Sequence, residues 1–260
     1  MTDVLVGWSG FVGQTLLRQR SFDQTYRSTD IERIRGCEAD LLICAGAPAQ
    51  KWIADRAPEV DRAKLEGLAA NLEQARARRL VLISTVDVFA DSRGADEDSD
   101  PDAQAPSAYG RNRRWLERWA ANHFPEVLIV RLPGLVGPGL RKNAIFDLRN
   151  DNNLASVDAR GVYQFYPMVN LWADLQTALA AGLKVLHLTA EPLSVAEVAR
   201  EGFGRTFENE VEGRAPAAYD LRTRHAPLFG GQGDYQYGRR ESLLAIRAYA
   251  QSEPASKPLA

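Results

Sequence analysis

The sequence predicts an α/β protein built on a doubly wound parallel sheet, with a small lobe formed by the second half of the chain. Three observations support this prediction. Short apolar runs alternate with segments of helical periodicity, a glycine-rich turn joins the first run to the first helix, and small or polar residues follow the runs. Strands that alternate with helices form parallel sheets, and such sheets bind ligands at the carboxyl ends of their strands.

The first half of the chain contains four apolar runs that we predict to be buried strands. They lie at residues 3–7, 39–45, 80–85 and 127–132. Helices are predicted directly after the glycine turn, over 58–76 and over 107–122. The apolar side of the helix over 58–76 is expected to consist of Val60, Ala63, Leu65, Leu68, Ala69 and Leu72. Residues 90–106 are rich in Asp, Ser, Pro and Gly, which indicates a loop.

The periodicity weakens after residue 132. Helices are predicted over 170–182, 194–202 and 239–251, and one further strand over 185–190. We expect a sheet domain over residues 1–135, a small lobe interleaved with the sheet over 136–252, and a disordered tail over 253–260.

Composition and charge exclude several classes of protein. The 260 residues include 45% hydrophobic and 25% charged residues, and the formal net charge is -2. This balance gives no electrostatic basis for binding nucleic acid or an anionic membrane. The sequence shows no run of the roughly 18 apolar residues that a membrane helix needs. Cys37 and Cys44 are expected to be free thiols, no metal site is expected, and a cytoplasmic location follows.

The glycine-rich turn is the main functional signal. Gly7-Trp8-Ser9-Gly10-Phe11-Val12-Gly13 follows a predicted strand and begins a predicted helix. A glycine permits the tight turn and lets the backbone approach a pyrophosphate, which the helix N-terminus then stabilises. The sequence therefore predicts a Rossmann-like NAD(H)- or NADP(H)-binding site that includes Gly7, Ser9, Gly10, Phe11, Val12 and Gly13. The alternative is a glycine turn kept only for packing.

Three further features lie at the ends of predicted strands or helices. Ala45, Gly46 and Ala47 follow the second apolar run, where small side chains leave room for a cofactor. Thr85 ends the third run. Tyr109 begins the helix after the acidic loop, and Arg113 follows four residues later on the same helical face.

These motifs resemble those of the extended short-chain dehydrogenases/reductases, the NAD-dependent epimerase/dehydratase superfamily. GWSGFVG is similar to the family's G-x-x-G-F-x-G, STVDVF to its S-S/T-x-x-V-Y/F, YGRNR to its Y-x-x-x-K and RLPGLVGPG to its R-x-x-x-V-Y-G-P. The resemblance covers residues 3–139 and is strongest to the dTDP-4-dehydrorhamnose reductase type, which has a similar Asp-Ile pair, here Asp30-Ile31.

The resemblance implies a mechanism. Tyr109 would be the general acid/base and Thr85 would hydrogen-bond the substrate carbonyl. The family's lysine, which lowers the tyrosine pKa and holds the nicotinamide ribose, is replaced by Arg113. Arginine keeps the charge but differs in shape and donor placement. Two interpretations therefore remain open: a catalytic protein, and a pseudoenzyme that binds the cofactor without turnover.

The cofactor choice depends on the residues after the second strand of this fold. NAD enzymes place an acidic residue there to bind the ribose hydroxyls. Here Arg27 and Ser28 occupy the position and Asp30 comes later. A cation and a hydroxyl suit a 2′-phosphate, so NADP is favoured over NAD. Gly7 and Ala45 are only 38 positions apart, which indicates that one strand–helix unit is shortened.

The resemblance implies an oxidoreductase that acts on a sugar or nucleotide-sugar-like small molecule, with a small substrate-binding lobe. An epimerase or dehydratase of the same superfamily and a noncatalytic dinucleotide-binding protein remain alternatives. The stretch 219–235 is a candidate for the substrate pocket, with Arg222 and Arg224 facing an anionic group. The resemblance also implies a homodimer through the helices over 58–76 and 107–122.

Overall fold

The structure is a computed structural model that describes residues 2–254. Its strands are, in chain order, β1 (Asp3–Val6), β2 (Gln24–Tyr26), β3 (Glu38–Cys44), β4 (Arg76–Thr85), β5 (Glu126–Leu132), β6 (Gly134–Val136), β7 (Val162–Tyr163), β8 (Phe165–Pro167), β9 (Val185–His187) and β10 (Leu193–Ser194). Its helices are α1 (Phe11–Gln19), α2 (Lys51–Arg56), α3 (Pro58–Leu72), α4 (Ala108–His123), α5 (Ala144–Asn150), α6 (Leu171–Ala180), α7 (Val195–Glu197) and α8 (Arg239–Ser252).

A six-stranded parallel sheet has the order β2-β1-β3-β4-β5-β9. This arrangement confirms the predicted Rossmann-like parallel sheet. Strand β1 pairs with β2 on one side and with β3 on the other, so the chain changes direction across the sheet at β1. A crevice forms at the carboxyl ends of the strands where the order reverses in this way.

The shortened strand–helix unit is visible between β1 and β3. Strand β2 has three residues, and the segment that follows contains a single 3₁₀ turn, Ile31–Ile34, where the fold usually has a helix. The helix predicted over 58–76 ends earlier, at Leu72, because strand β4 already begins at Arg76. Helix α2 was not predicted.

The apolar side of α3 was predicted only in part. Leu65, Ala69 and Leu72 are buried in the core that covers the sheet, and Leu68 packs against it. Val60 and Ala63 are exposed, and the prediction was wrong for both. The buried stripe instead begins at Asp61, four residues before Leu65, which is one helical turn.

The contact pattern divides the chain into two units. Unit 1 contains the described residues up to Ser92, Glu97–Leu132 and Leu171–His187, and therefore the whole six-stranded sheet. Unit 2 contains Arg93–Asp96, Pro133–Asn170 and the described residues from Leu188 onward. The break at Leu132–Pro133 lies near the boundary expected at residue 135, and Leu171–His187 returns to unit 1.

Unit 2 contains two small sheets, a parallel pair of β6 with β8 and an antiparallel pair of β7 with β10. At the end of α8 the Glu253 carboxylate accepts a hydrogen bond from the Gly139 backbone N–H at 3.0 Å. Residues 255–260 of the predicted tail lie outside the described residues. Within residues 2–254, no helix is both long enough and apolar enough to cross a membrane.

Candidate active site

The glycine turn connects β1 to α1 at the carboxyl edge of the sheet in unit 1. Gly7 has φ +84°, a conformation that residues with a side chain rarely adopt. A Cβ on Gly7 would collide with the Ala45 carbonyl oxygen, and a Cβ on Gly13 would collide with the Gly7 carbonyl oxygen. Protein packing alone therefore requires glycine at both positions.

Gly10 has a different environment. A Cβ at this position would meet only the Gly7 carbonyl oxygen within 4 Å, at a comfortable 3.4 Å. Ser9 and Gly10 are exposed, and the N-cap residue Gly10 has no side chain that could cap α1. The first turn of α1 has no acidic residue. The N-terminus of the helix is thus open to an anion, and these residues fit a pyrophosphate.

Arg27 and Ser28 lie exposed at the carboxyl end of β2, as predicted from the sequence. The Arg27 guanidinium carbon lies 5.5 Å from the centre of the Trp8 ring in the glycine turn. The Asp30 carboxylate accepts a hydrogen bond from the Arg27 backbone N–H at 2.6 Å. Asp30 therefore stabilises the turn that presents Arg27, and Ile31 packs against the core.

The segment Ala45-Gly46-Ala47 lies beside the glycine turn. Ala45 donates its backbone N–H to the Val6 carbonyl at 2.8 Å, and a Cβ on Gly46 would approach the Val6 side chain to 3.0 Å. The three residues are half-buried. Because these side chains are small, they fill little space at the sheet edge between the glycine turn and the end of β4.

Tyr109 lies in the first turn of α4 and is 8% exposed. Ser107 caps this helix by accepting from the Gly110 N–H at 3.3 Å, and Asp55 accepts from the Tyr109 N–H at 2.9 Å. Burial raises the pKa of Tyr109 above its usual value. The charge of Arg113 and hydrogen bonds from the side chains of Thr85 and Arg113 oppose this rise. The structure therefore brings together Thr85, Tyr109 and Arg113.

Arg113 does not extend freely toward solvent. Its Nη1 and Nη2 atoms donate to Asp61 Oδ2 and Oδ1 at 2.7 and 3.0 Å, and Nη2 also donates to the Pro48 carbonyl. Both partners of this ion pair are buried, with 3% and 5% of their side chains exposed. The guanidinium carbon lies 4.2 Å from the centre of the Tyr109 ring. Arg113 Nε is buried without a hydrogen-bond partner among the described residues.

A second buried ion pair lies beneath Thr85. Glu117 of α4 accepts from Arg131 of β5 at 3.0 and 2.8 Å, and from the Ser84 hydroxyl at 2.6 Å. His187 of β9 lies 3.1 Å from Arg131 Nη1. The network holds α4, and with it Tyr109, against the strands that end at the site.

Sequence reasoning missed three charged residues of this site. Asp61 had a signal, because it stands one turn before Leu65 on the buried side of α3. Asp87 lies within STVDVF, in the 3₁₀ turn after β4, where Lys51 Nζ lies 2.6 Å from its Oδ1 atom. Lys51 had no signal, because the short helix α2 is not visible in the periodicity.

Arg222, which the sequence offers as a substrate-pocket residue, belongs to unit 2. Arg222 of unit 2 forms salt bridges with Asp220 and Asp234, both at 3.1 Å. Its charge is therefore offset by two carboxylates, which weakens the predicted role of Arg222 in anion binding. Within residues 2–254, no group of three or more His, Cys, Asp or Glu side chains is arranged to hold a metal ion.

The chain shares its fold with solved structures of nucleotide-dependent enzymes. RMD from Pseudomonas aeruginosa, complexed with NADPH, matches with a TM-score of 0.73 and 17% identity over 97% of this chain and 99% of that one. The dTDP-4-dehydrorhamnose reductase of Bacillus anthracis, in complex with NADP, matches with a TM-score of 0.73 and 17% identity. This match covers 95% of this chain and 96% of that one. TunA, an NAD-dependent NDP-hexosamine 5,6-dehydratase of tunicamycin biosynthesis, matches with a TM-score of 0.72 and 18% identity. This match covers 98% of this chain and 99% of that one.

No protein-family model matches the chain, and no curated protein is significantly similar to it in sequence. The structural matches confirm the predicted resemblance at the level of the fold. The shared fold extends over nearly the whole chain.

Proposed function

We propose that this protein is an NAD(P)-dependent oxidoreductase that acts on a carbonyl or hydroxyl group of a sugar or nucleotide-sugar-like substrate. One observation supports this proposal most directly. Tyr109 lies beside Thr85 at the carboxyl end of β4, in the same parallel sheet as the open glycine turn after β1. Only β3 separates the two strands, a span of about 10 Å across the sheet.

The chemistry follows from the protonation of Tyr109. The nicotinamide, when bound, supplies or accepts the hydride. The pKa of Tyr109 lies above its usual value, so its phenol is protonated at neutral pH and can donate a proton to a substrate oxygen. A raised pKa makes the phenol a weaker acid, and the charge of Arg113 and the hydrogen bonds from Thr85 and Arg113 oppose this effect. Thr85 is suited to hydrogen-bond the same oxygen.

The cofactor is proposed to bind along the carboxyl edge of the sheet. The backbone N–H groups of the turn around Gly10 and the N-terminus of α1 are suited to the pyrophosphate. Arg27 and Ser28 are suited to a 2′-phosphate, and Asp30 is used within the turn itself. We therefore propose NADP(H) as the preferred cofactor; two of the structures that share this fold contain NADPH or NADP.

The test is the Tyr109→Phe variant. It removes the transferable proton and should lower turnover by at least about 10²-fold, while calorimetry finds an unchanged affinity for NADPH. Turnover is followed as NADPH consumption with a panel of nucleotide-linked keto sugars that includes dTDP-4-dehydrorhamnose. Tyr249→Phe, which alters a buried tyrosine of unit 2, is the matched control. Full activity of Tyr109→Phe on a true substrate would remove the catalytic assignment.

An epimerase or dehydratase is a second candidate, because the fold of TunA matches about as well as those of the reductases. Such enzymes oxidise and re-reduce one bound substrate. They therefore keep their cofactor and consume no NADPH. Cofactor retained after purification, with turnover that leaves its redox state unchanged, would favour this candidate. Cofactor binding without turnover would favour a noncatalytic protein.

A further inference from the structure

The position of the family's lysine is occupied by a guanidinium whose charge is largely compensated. Arg113 forms a two-pronged ion pair with Asp61, and both side chains are buried. A carboxylate in direct contact reduces the electrostatic effect of the cation on a neighbouring phenol. Arg113 by itself therefore supplies less positive charge to Tyr109 than an unpaired lysine would.

A second carboxylate, Asp87, lies close to the same tyrosine. Its backbone N–H donates to Thr85 Oγ1 at 3.2 Å, and its Oδ2 atom lies 3.3 Å from that hydroxyl. Helix α4 approaches Asp87 so closely that a Cβ on Gly110 would collide with the Asp87 carbonyl oxygen. The negative charge of Asp87 contributes to the raised pKa of Tyr109, after burial.

The compensating cation for Asp87 comes from another helix. Lys51 is the first residue of α2, and its Nζ atom lies 2.6 Å from Asp87 Oδ1. The side chain of Lys51 is 43% exposed and that of Asp87 is 18% exposed. The same helix contacts Tyr109 directly, because Asp55 accepts the Tyr109 backbone N–H at 2.9 Å.

We propose that Lys51 is a positioning residue that sets the protonation of Tyr109 by neutralising Asp87. The proposal rests on the function proposed above for Tyr109. Two charged groups act directly on the phenol, Arg113 of α4 and Asp87 after β4. Their ion-pair partners are Asp61 of α3 and Lys51 of α2, and Asp55 of α2 accepts the Tyr109 backbone N–H. Two of the three carboxylates have a paired cation, Asp61 with Arg113 and Asp87 with Lys51. The family's single lysine is thus replaced by two ion pairs, and the more exposed cation belongs to α2.

The experiment is a titration of Tyr109 in the ligand-free protein. Tyrosine labelled with ¹³C at Cζ gives one resonance per tyrosine, and Tyr109→Phe identifies the resonance of interest. Lys51→Met should raise the pKa of Tyr109 by about one pH unit, because Asp87 then loses the positive charge of Lys51. Lys51→Arg keeps the charge and should leave the pKa unchanged. Asp87→Asn should lower the pKa, and this variant gives a test even if Lys51→Met does not fold.

The double variant Lys51→Met with Asp87→Asn tests whether Lys51 acts through Asp87. In the Asp87→Asn background the ion pair no longer holds the Lys51 side chain in place, so the effect of Lys51→Met should fall to less than about half of its size. An unchanged pKa in Lys51→Met, an unchanged or raised pKa in Asp87→Asn, or an equally large effect of Lys51→Met in both backgrounds would overturn the proposal.

Failure of this proposal and failure of the proposed function give different results, because the titration needs neither substrate nor turnover. If Tyr109→Phe is inactive but Lys51→Met does not shift the pKa, the oxidoreductase stands and the role of Lys51 is overturned. If the pKa shifts as expected but Tyr109→Phe is fully active, the coupling is supported and the catalytic assignment is lost. Where turnover is measured, the pH profile of Lys51→Met should shift in the same direction as the titration.

Discussion

At the scale of single residues, three glycines of one turn are required for different reasons. Gly7 and Gly13 have carbonyl oxygens in the space that a side chain would occupy. Gly10 has no such neighbour, and its exposed surface faces the open N-terminus of α1. Packing therefore explains the first two glycines but not the third, where we propose that the cofactor pyrophosphate binds.

This difference predicts a separation of binding from stability. Gly10→Val should weaken NADPH binding by at least about tenfold, or about 1.4 kcal/mol, because a branched side chain would occupy the place of the pyrophosphate. The free energy of unfolding should fall by no more than about 1 kcal/mol, since Val is a poor N-cap residue but the nearest protein atom to the added Cβ is 3.4 Å away. Calorimetry and urea unfolding measure the two quantities. Gly67→Val, at an open position on α3, is the control. Unchanged affinity in folded Gly10→Val would refute a pyrophosphate site at this turn.

Arg27 predicts the cofactor preference in the same way. Arg27→Ala should weaken NADPH binding by about 10-fold or more and NADH binding much less, because only NADPH has a 2′-phosphate for the guanidinium to bind. Arg33→Ala removes an equal charge from the neighbouring 3₁₀ turn and serves as the control. Affinities for both cofactors are measured by calorimetry. Equal losses for the two cofactors would show that Arg27 does not recognise the phosphate.

At the scale of secondary structure elements, the pair of Arg113 with Asp61 joins α4 to α3. Burial by itself raises the pKa of Asp61, but hydrogen bonds from Arg113 and Asn112 and the charge of Arg113 outweigh it and lower the pKa. Asn112 also donates to the Pro58 carbonyl at 3.0 Å. The same contacts that place the guanidinium beside Tyr109 therefore fix the two helices together.

Removing one partner of this pair should destabilise the protein. Arg113→Ala leaves a buried carboxylate unpaired and should lower the free energy of unfolding by about 3–5 kcal/mol at pH 7. The double variant Asp61→Leu with Arg113→Met replaces both charges with apolar side chains. Its free energy of unfolding should fall much less than that of Arg113→Ala. Urea unfolding of the three proteins measures these differences. An equally large decrease in the free energy of unfolding of the double variant would contradict the explanation that the unpaired Asp61 carboxylate destabilises Arg113→Ala.

The same pair predicts a dependence on pH. The lowered pKa of Asp61 means that its ionised form stabilises the wild type above the unfolded-state pKa of about 3.9, and this contribution is lost as pH falls through the lower folded-state value. In Arg113→Ala, burial without the cation raises the pKa, so Asp61 takes up a proton on acidification. The difference in stability between the two proteins should therefore narrow from pH 7 to pH 4. A difference that stays constant over this range would exclude Asp61 as its source.

The sequence predicted the long elements and the short strands β1 and β9, but it missed other short elements. Strands β3, β4 and β5 have continuous apolar runs, and α4 and α8 have clear periodicity, so they were found within a few residues. Strand β2 has three residues with only Tyr26 buried, and α2 has six residues with only Ala54 buried. Such elements form because neighbouring segments hold them, and local patterns cannot reveal them. Lys51 was missed for this reason, whereas Thr85, Tyr109 and Arg113 were found through motifs.

At the scale of the whole molecule, both halves of the proposed site belong to unit 1. The glycine turn follows β1, and Thr85 ends β4. The strand order places only β3 between them. Because all strands of this sheet are parallel, their carboxyl ends share one edge, and residues distant in sequence meet there. The contacts from Gly7 to Ala45 and from Pro48 to Arg113 connect the two halves through the segment after β3.

Apolar side chains on the outer surface of α2, α3 and α4 predict that two copies of the chain form a dimer. On α2 and α3, Trp52 is 67% exposed and Val60 is 54% exposed, and on α4 Trp115 and Trp119 are only half-buried. Exposed apolar side chains on adjacent helices are typical of a protein interface. We expect α3 and α4 of two copies to form a four-helix interface, so light scattering should give about twice the chain mass of 28.8 kDa.

The variant Val60→Lys places a charge within the expected interface and should shift the protein toward the mass of a single chain. Leu244→Lys changes an apolar residue of α8 that is 51% exposed in unit 2, and should leave the mass unchanged. Both residues are exposed, so neither substitution should lower the free energy of unfolding of the chain itself by more than about 0.5 kcal/mol. A single-chain mass for the wild type at micromolar concentration, or equal effects of the two variants, would exclude the interface through α3 and α4.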